Sequence, residues 1–421
     1  MFFIYKLLIN LVFLFSPIII LIRLLKKKEH PVRFKEKFGI FTKKKLAGKL
    51  IWFHGASVGE ILSIIPLVEK LEEKNDIRQI LITSNTLSSA NILSNIKLKK
   101  TIHQFFPMDT NYHTNKFLNY WKPSVAIFID SEIWPNMINN IKKNSVTLIL
   151  INARITDKSF RRWNIFKSSA RGIFQKFDLC LSSNRKSKNF LRNLGAKKIK
   201  YVGNLKFTQI ENDRNSLNKN IINFFFTKKI WCASSTHYKE EKVCAEAHKK
   251  LKIKYKNLLT IIIPRHIHRV KKIINEIKKL NLKIHLHSSR KKINSKTDIY
   301  LVDSFGQTKS FFRICKTVFL GGSLVGHGGQ NPLEAARYGC EILHGQHVWN
   351  FDEIYTLLKK YHVSNKIINS NQLTLKVDKM FNNKNNSKNL KLKIKRLGNK
   401  ILNSTLNELN FYIKKNEIEK T

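Results

Sequence analysis

The sequence predicts an α/β protein of two Rossmann-like domains facing across a cleft, with an apolar helix ahead of them. Three observations lead there. The chain has 421 residues, more than one hydrophobic core usually serves, so two domains are expected. Short apolar β-rich runs alternate with longer amphipathic stretches, and the alternation occurs twice with a polar stretch between the two series. The first 25 residues are almost wholly apolar and run directly into Lys26, Lys27 and Lys28.

The apolar opening comes first in the chain. It is interrupted only by Lys6, Asn10, Ser16, Pro17 and Arg23. A secretory signal would carry its positive charge before the apolar run and a small-residue cleavage site after it. Here the charge follows, and no A-x-A pattern appears. The length is close to the ~20 residues that cross a bilayer, and the basic flank holds the remainder on the cytoplasmic side. A membrane anchor over residues 1–25 is expected, spanning or embedded; a buried core helix is the other reading.

In the first series, strands are expected at 50–54, 79–83, 125–130, 146–152 and 178–183. In the second they are expected at 230–234, 258–263, 283–287, 299–302 and 317–320. Strands separated by helical patterns form parallel βαβ units. The expected division is a first domain over 30–208, a linker over 209–225, a second domain over 226–395 and a basic tail over 396–421, helical in part. Ligands of such sheets sit beyond the carboxyl ends of the strands, so the chemistry is sought there.

Composition narrows the function. Seventy-eight Lys and Arg against 28 Asp and Glu leave a net charge of +50. With 43% hydrophobic residues the chain can build cores, which excludes a disordered polycation. The charge suits an anionic partner such as lipid headgroups, phosphorylated substrates or nucleic acid. It equally fits a Lys- and Asn-rich coding bias, because the lysines are spread over the whole length. Five cysteines lack CxxC spacing. They read as buried thiols, not as a disulfide frame or zinc site.

The most informative strand end follows residues 317–320, where the chain reads GGSLVGHGGQNPLEAARYG. Gly321 and Gly322 permit tight backbone turns and let N–H groups point at an anion. Asn331 suits a helix cap and Pro332 the first helical position. A helix start behind a glycine loop is a phosphate site. Glu334 either closes a capping box with Asn331 or accepts hydrogen bonds from a ribose diol. The P-loop Gly-Lys-Ser/Thr is missing, which argues against an ATPase. Two further strand ends converge on this loop. One carries Pro264, Arg265 and His266, with Arg265 able to grip a phosphate; the other carries Ser235, Thr236 and His237, whose hydroxyls cap a helix or bind phosphate oxygens. The pairs His266/His268 and His285/His287 have no carboxylate companion nearby, so no metal site is expected.

In the first domain, Ser57 and Glu60 fit a capping box after strand 50–54. Glu132 follows strand 125–130 beside Trp134, where a carboxylate binds sugar hydroxyls, binds an amine or anchors the loop. Just beyond the apolar opening lies Arg33-Phe34-Lys35-Glu36-Lys37-Phe38-Gly39.

The blocks WFHGASVGE, DSEIWPN, INARITDKS, GNLKF, SSTHYKEE, IIIPRH and FLGGSLVGHGGQNPLEAA follow one another in order. Together they resemble the 3-deoxy-D-manno-octulosonic acid (Kdo) transferases of Gram-negative bacteria, from Glu36 to about Phe351. The resemblance implies a GT-B fold, CMP-Kdo as donor and a lipid A precursor (lipid IVA) as acceptor at the cytoplasmic face of the inner membrane, among its anionic lipids. It also implies inversion at the anomeric carbon, with no cofactor, no catalytic metal and no nucleic-acid partner. By the same resemblance Glu36 is the general base, and Ser57, Glu60 and Glu132 are acceptor-side or cleft residues. Ser235, Thr236, Pro264, Arg265, Gly321, Gly322, Asn331 and Glu334 form the CMP-binding set. The sequence departs from the family pattern at Asp130-Ser131, where Glu-Thr is more usual, at Gln330, where His is usual, and at Gln307, whose role stays open. A transferase for another nucleotide sugar is the alternative within enzymes. A non-catalytic protein binding membrane or nucleic acid through its charge would leave the ordered strand-end blocks unexplained.

Overall fold

The computed structural model describes residues 2–209, 217–382 and 387–418. The chain divides into two compact units, residues 1–210 with 397–421, and residues 211–396. The first is built on β1 (Leu50–His54), β2 (Gln79–Ser84), β3 (Thr101–Phe105), β4 (Val125–Ile129), β5 (Thr147–Ala153), β6 (Leu179–Ser182) and β7 (Ile199–Tyr201). They form one sheet in the order β3-β2-β1-β4-β5-β6-β7, every pair parallel. The second contains β8 (Lys229–Thr236), β9 (Leu258–Pro264), β10 (Ile284–Leu286), β11 (Ile299–Leu301), β12 (Thr317–Leu320), β13 (Glu341–His344) and β14 (Ser364–Lys366). Its order is β10-β11-β9-β8-β12-β13-β14, again all parallel.

The central strands read as unbroken apolar runs because helices cover both faces of a parallel sheet. All residues of β1, β2 and β4 are buried. Trp52, Phe117, Trp121, Phe128 and Phe174 belong to the first core; Trp231, Leu251, Ile262, Phe319 and Leu373 belong to the second. Strand order reverses between β1 and β4 in the first sheet. In the second, β8 has β9 on one side and β12 on the other. Those switch points are where open α/β sheets bind ligands.

The strands β3, β7, β13 and β14 were not among the expected ones. β7 (IKY) and β14 (SNK) are short, largely polar edge strands with no apolar run to mark them. β3 carries a polar His-Gln pair, and β13 is four residues behind the glycine-rich segment. In the expected linker, residues 210–216 lie outside the described residues, and a helix, Lys219–Phe226, already belongs to the second unit.

The tail differs more. A helix runs over Ser387–Ile418, and its residues from 397 onward belong to the first unit. Ile401, Thr405, Leu409 and Ile413 recur every four residues and are all buried, a helical stripe that the surrounding Lys and Asn disguise. Lys200 pairs with Glu408 at 2.7 Å, and the Tyr412 hydroxyl donates to the Asp178 carbonyl at 3.2 Å.

The N-terminal helix spans Phe2–Leu25, and its stretch Ile4–Leu25 is long and apolar enough to cross a membrane, with 11% buried. One face is held by the first unit. The Tyr5 hydroxyl donates to Asp109 Oδ2 at 2.6 Å, the Phe13 ring lies 4.9 Å from His113, and Glu29 takes Arg23 at 3.0 Å and Lys37 at 2.6 Å. Asp109 also accepts the N–H groups of Asn136 (3.0 Å) and Met137 (2.8 Å), which fixes the start of the helix Pro135–Lys143. A carboxylate there meets unsatisfied donors and the positive end of the helix dipole.

Burial pushes the Asp109 carboxyl up from 3.8 to about 6, against the hydrogen bonds from Tyr5, Asn136 and Met137. The folded state therefore holds this proton more tightly than the unfolded chain, and the Asp109 contribution to stability falls as pH rises from 3.8 to about 6. Thermal unfolding in detergent across that window should show the decline in the wild type, and Asp109→Asn should flatten it. An unchanged slope in the variant would show that the decline comes from other groups.

Candidate active site

In the first unit, β1 and β4 are neighbours, so the loops after them open on the same edge. The helix Val58–Glu72 begins after Ser57 with a complete capping box. Ser57 Oγ accepts the Glu60 N–H at 3.4 Å, and the Glu60 carboxylate accepts from the Ala56 N–H at 2.7 Å and the Ser57 N–H at 3.3 Å. The Ser57 hydroxyl also donates to Glu60 Oε1 at 2.8 Å. Glu60 is only half-buried. Burial is the main force raising its carboxyl above the ordinary glutamate value; the Ser57 hydroxyl opposes this, and repulsion from Glu132 and Asp130 adds to it.

Those two acids come from the end of β4. Asp130 turns through a left-handed backbone conformation at φ 61°. Burial raises its carboxyl, opposed chiefly by Lys206, whose Nζ lies 3.6 Å away, and by Arg154. Glu132 accepts from Trp134 Nε1 at 2.8 Å and lies 3.2 Å from His54 Nε2. His54 is fully buried, which lowers its pKa despite the Glu132 carboxylate. The side chain of Asn152 holds the Leu205 N–H at 2.9 Å, fixing the segment that carries Lys206. The resulting cluster joins Ser57, Glu60, Asp130 and Glu132 with Lys206 and Arg154. Lys206 and Arg154 lie in blocks named from the sequence but were given no role there.

Glu36 lies elsewhere. It sits on the 3₁₀ turn Arg33–Phe38 and is fully buried. Its carboxylate takes Arg33 Nε at 2.8 Å, Arg33 Nη2 at 3.2 Å, the Phe105 N–H at 2.7 Å and the Thr42 hydroxyl. This group ties the turn to the end of β3. Its oxygens are engaged by the protein itself, an arrangement suited to an anchor and poorly suited to a base that must receive a proton from a substrate hydroxyl.

In the second unit, β9, β8 and β12 are adjacent. Their ends bring Ser235 and Thr236, Pro264 and Arg265, and Gly321 and Gly322 to one edge. Gly321 is required by crowding: a Cβ there would lie 2.5 Å from the Ser235 carbonyl oxygen and 2.7 Å from Glu240 Oε2. Gly322 has φ 67°, and its Cβ would approach the His237 ring at 3.2 Å.

The loop amides do not form the expected empty cradle. Glu240, fully buried, accepts the N–H groups of His237 (2.9 Å), Gly322 (2.7 Å), Ser323 (3.0 Å) and Leu324 (2.9 Å). The anion at this glycine loop is the protein's own carboxylate, brought there by the first turn of the helix Glu240–Lys254. The helix behind the loop is short, Leu333–Arg337. Asn331 Oδ1 accepts the Leu333 N–H at 3.1 Å. The capping box with Glu334 is not formed: among the described residues the half-buried Glu334 carboxylate has no hydrogen bond or ion pair.

Positive charge lies beside this loop. Arg269 is engaged, pairing with buried Glu241 through two contacts at 2.9 and 3.1 Å. The exposed Arg265 guanidinium has no hydrogen bond or ion pair among the described residues. His237 stacks on His327 with centroids 4.3 Å apart and meets His266 at 5.6 Å. Its Nε2 is buried without a partner. Burial first, then His327, His266 and the two arginines, lower its pKa to about 4, so the ring is neutral at pH 7. The Tyr355 hydroxyl donates to the Gln330 backbone carbonyl at 3.0 Å, and Gln307 precedes the helix Thr308–Ile314 without capping it through its side chain. Among the described residues, no group of three or more His, Cys, Asp and Glu is placed to hold a metal ion.

This geometry offers a carboxylate cluster with a raised glutamate in one unit and an unpaired arginine with a free carboxylate in the other. Solved structures show the fold. A putative UDP-N-acetylglucosamine 2-epimerase from Listeria monocytogenes superposes with TM-score 0.57 at 13% identity, over 86% of this chain and 97% of that one. Anabaena HepE, in complex with UDP and glucose, gives 0.53 at 10% identity over 86% and 99%. The protein is of the GT-B class. Its family is also clear. The model of the 3-deoxy-D-manno-octulosonic-acid transferase (kdotransferase) family matches residues 32–209. The 3-deoxy-D-manno-octulosonic acid transferase of Rickettsia bellii is 36% identical over 340 residues, 79% of this chain and 80% of that protein. A probable mitochondrial transferase of the same kind from Arabidopsis thaliana is 31% identical over 396 residues, 90% and 89% of the two chains. The chain belongs to the 3-deoxy-D-manno-octulosonic acid transferase family, and it is a glycosyltransferase.

Removing the Glu240 carboxylate would leave several loop amides without acceptors, at about 1–3 kcal/mol each where they are buried. Glu240→Ala should therefore lower stability by roughly 3 kcal/mol or more, and Glu240→Gln by less. Thermal or denaturant unfolding measures it; a loss within ~0.5 kcal/mol, ordinary for a surface substitution, would mean the loop does not depend on this carboxylate.

Proposed function

We propose that the protein transfers Kdo from CMP-Kdo to a lipid A precursor, lipid IVA, with inversion at the anomeric carbon. In this reading the N-terminal helix anchors it in the bacterial inner membrane, among anionic lipids, with both units on the cytoplasmic side. Membership of the family supports the donor sugar. The observation that carries the chemistry is the raised, half-exposed carboxyl of Glu60 beside Asp130 and Glu132.

An acceptor hydroxyl is a poor nucleophile at neutral pH and gains from a positioned base whose pKa is raised toward the working pH. Glu60 meets that requirement, and Glu36 takes the role of an anchor. The hydroxyl oxygen bonds to the anomeric carbon as the bond from that carbon to the CMP phosphate oxygen breaks. The hydroxyl proton passes to Glu60, and CMP departs as an anion. Glu132, Ser57 and Lys206 line the acceptor side.

The donor is held by the second unit. Arg265 takes the phosphate, and Ser235, Thr236 and Pro264 shape the strand ends beneath it. Gly321 and Gly322 serve by leaving room, since the amides around them belong to Glu240. Glu334, anchored in register by Asn331, accepts the ribose hydroxyls. Stabilisation of the departing phosphate by a preplaced cation replaces protonation by an acid.

Incubation with CMP-Kdo and lipid IVA should add Kdo mass to the lipid, and UDP-sugars should not substitute. Glu60→Gln should lower kcat about 10²–10⁴-fold, the usual scale for losing a general base, while CMP binding changes little. In the wild type kcat should rise with pH through a pKa above the ordinary glutamate value, and Glu60→Gln should lose that limb. Should Glu36→Gln remain as stable as wild type yet inactive while Glu60→Gln retains turnover, the base is Glu36.

Glu334→Ala should raise the donor KM about tenfold, the worth of one charge-assisted contact, with unchanged melting temperature. A drop in melting temperature at constant KM would assign Glu334 to the fold instead.

A further inference from the structure

Two cavities flank the N-terminal helix in the first unit, and the reaction as described gives them no role. The larger, about 1290 Å³, has Asn10 and Phe13 of that helix on one wall and the outer face of the helix Asn111–Trp121 on the other. Asn111, Asn115 and Asn119 stand four residues apart on that face, with Tyr112 and Lys116 beside them. Phe41, stacked on Tyr120 at 4.1 Å, closes the apolar end. The smaller cavity, about 360 Å³, is lined by Lys6, Lys142, Lys143 and Lys176 together with asparagines. The two share Asn111.

The chemistry of the pair is graded. Lys6, Asn10 and Phe13 fall at i, i+4 and i+7, one face of the N-terminal helix, so a single helix edge passes from cation to carboxamide to aromatic ring. No Asp or Glu lines either cavity. Lys142 is paired with Asp178 at 2.8 Å, whereas among the described residues the ammonium groups of Lys143 and Lys176 have no hydrogen bond or ion pair. Asn136 also lines the lysine cavity, and it lies four residues beyond Glu132 of the carboxylate cluster, in the first turn of the helix that Asp109 holds. With the N-terminal helix in the membrane, as proposed above, the cavities beside it are open to lipid; the smaller offers lysines and asparagines, the larger asparagines, Lys116 and aromatic rings.

We propose that these two neighbouring cavities, which share Asn111, are the docking site of the lipid acceptor, a phosphorylated glycolipid entering from the bilayer. Its phosphate is held by Lys143 and Lys176, its sugar hydroxyls by the asparagine row, and the start of its acyl region by Phe13 and Phe41. This rests on the acceptor assignment made above, and deepens it by naming the groups that recognise the lipid.

The test separates binding from turnover. Binding of lipid IVA in detergent micelles is measured without donor, for wild type and for the double variant Lys143→Glu/Lys176→Glu, with thermal unfolding confirming that both are folded. The variant should bind about tenfold or more weakly, the cost of losing charge-assisted contacts to phosphate. Lysine-to-arginine replacements at both positions should restore binding, and lipid IVA stripped of its phosphates should bind wild type and variant alike. Equal binding of intact lipid IVA to wild type and variant would overturn the proposal. So would equally effective competition by phosphatidylglycerol vesicles, which would mark a general anionic-lipid surface. Should the wild type bind lipid IVA in the predicted manner yet transfer no Kdo, the functional reading fails while the docking site stands.

Discussion

Every parallel sheet sends the backbone into a loop at the carboxyl end of each strand, and the amides at the following helix starts need acceptors. In this protein buried or half-buried carboxylates meet much of that need from within. Glu60 takes the Ala56 and Ser57 amides, Asp109 takes Asn136 and Met137, Glu36 takes Phe105, and Glu240 takes four amides around the Gly321–Gly322 turn. In a chain with only 28 acidic residues against 78 basic ones, these acids are placed where a missing acceptor would cost most. The strand-end geometry of each unit depends on those contacts.

The same device separates structure from chemistry. The Glu36 carboxylate, fully buried, is taken up by one backbone amide, a threonine hydroxyl and a guanidinium, all from the protein itself. Glu60 also takes backbone amides and a hydroxyl but remains partly open to solvent, and burial, with repulsion from Glu132 and Asp130, raises its carboxyl. The second unit repeats the contrast with cations: Arg269 is locked to Glu241, while Arg265, four residues earlier, has no hydrogen bond or ion pair among the described residues. Groups that the fold has not neutralised are the ones available to a substrate.

Much of this was legible from the sequence because it is local. The central strands are runs of buried apolar residues, and Ser57 and Glu60 are three residues apart, so capping follows from spacing. What could not be read was long-range pairing. The acceptor role of Glu240 joins positions more than 80 residues apart, and the burial of Glu36 depends on the Phe105 amide, 69 residues away. The only signal for Glu240 was a pair of acids just after a strand end in a chain poor in acids. The capping box, one of the two readings of Glu334, is not formed for a different reason: the helix starts only at Leu333, after Pro332, and Asn331 bonds to the Leu333 N–H. The edge strands β7 and β14 escaped because edges need no apolar run.

The closing helix has a consequence for how the chain is made. Ile401, Thr405, Leu409 and Ile413 are buried in the first unit, although the whole second unit lies between them and its strands in the sequence. During synthesis the strands of the first unit therefore emerge before the second unit, but their unit lacks this buried stripe until residues 401–413 have left the ribosome. A messenger cut short before residue 397 yields a product whose damage appears not in the sheet nearest the break but in the one translated first.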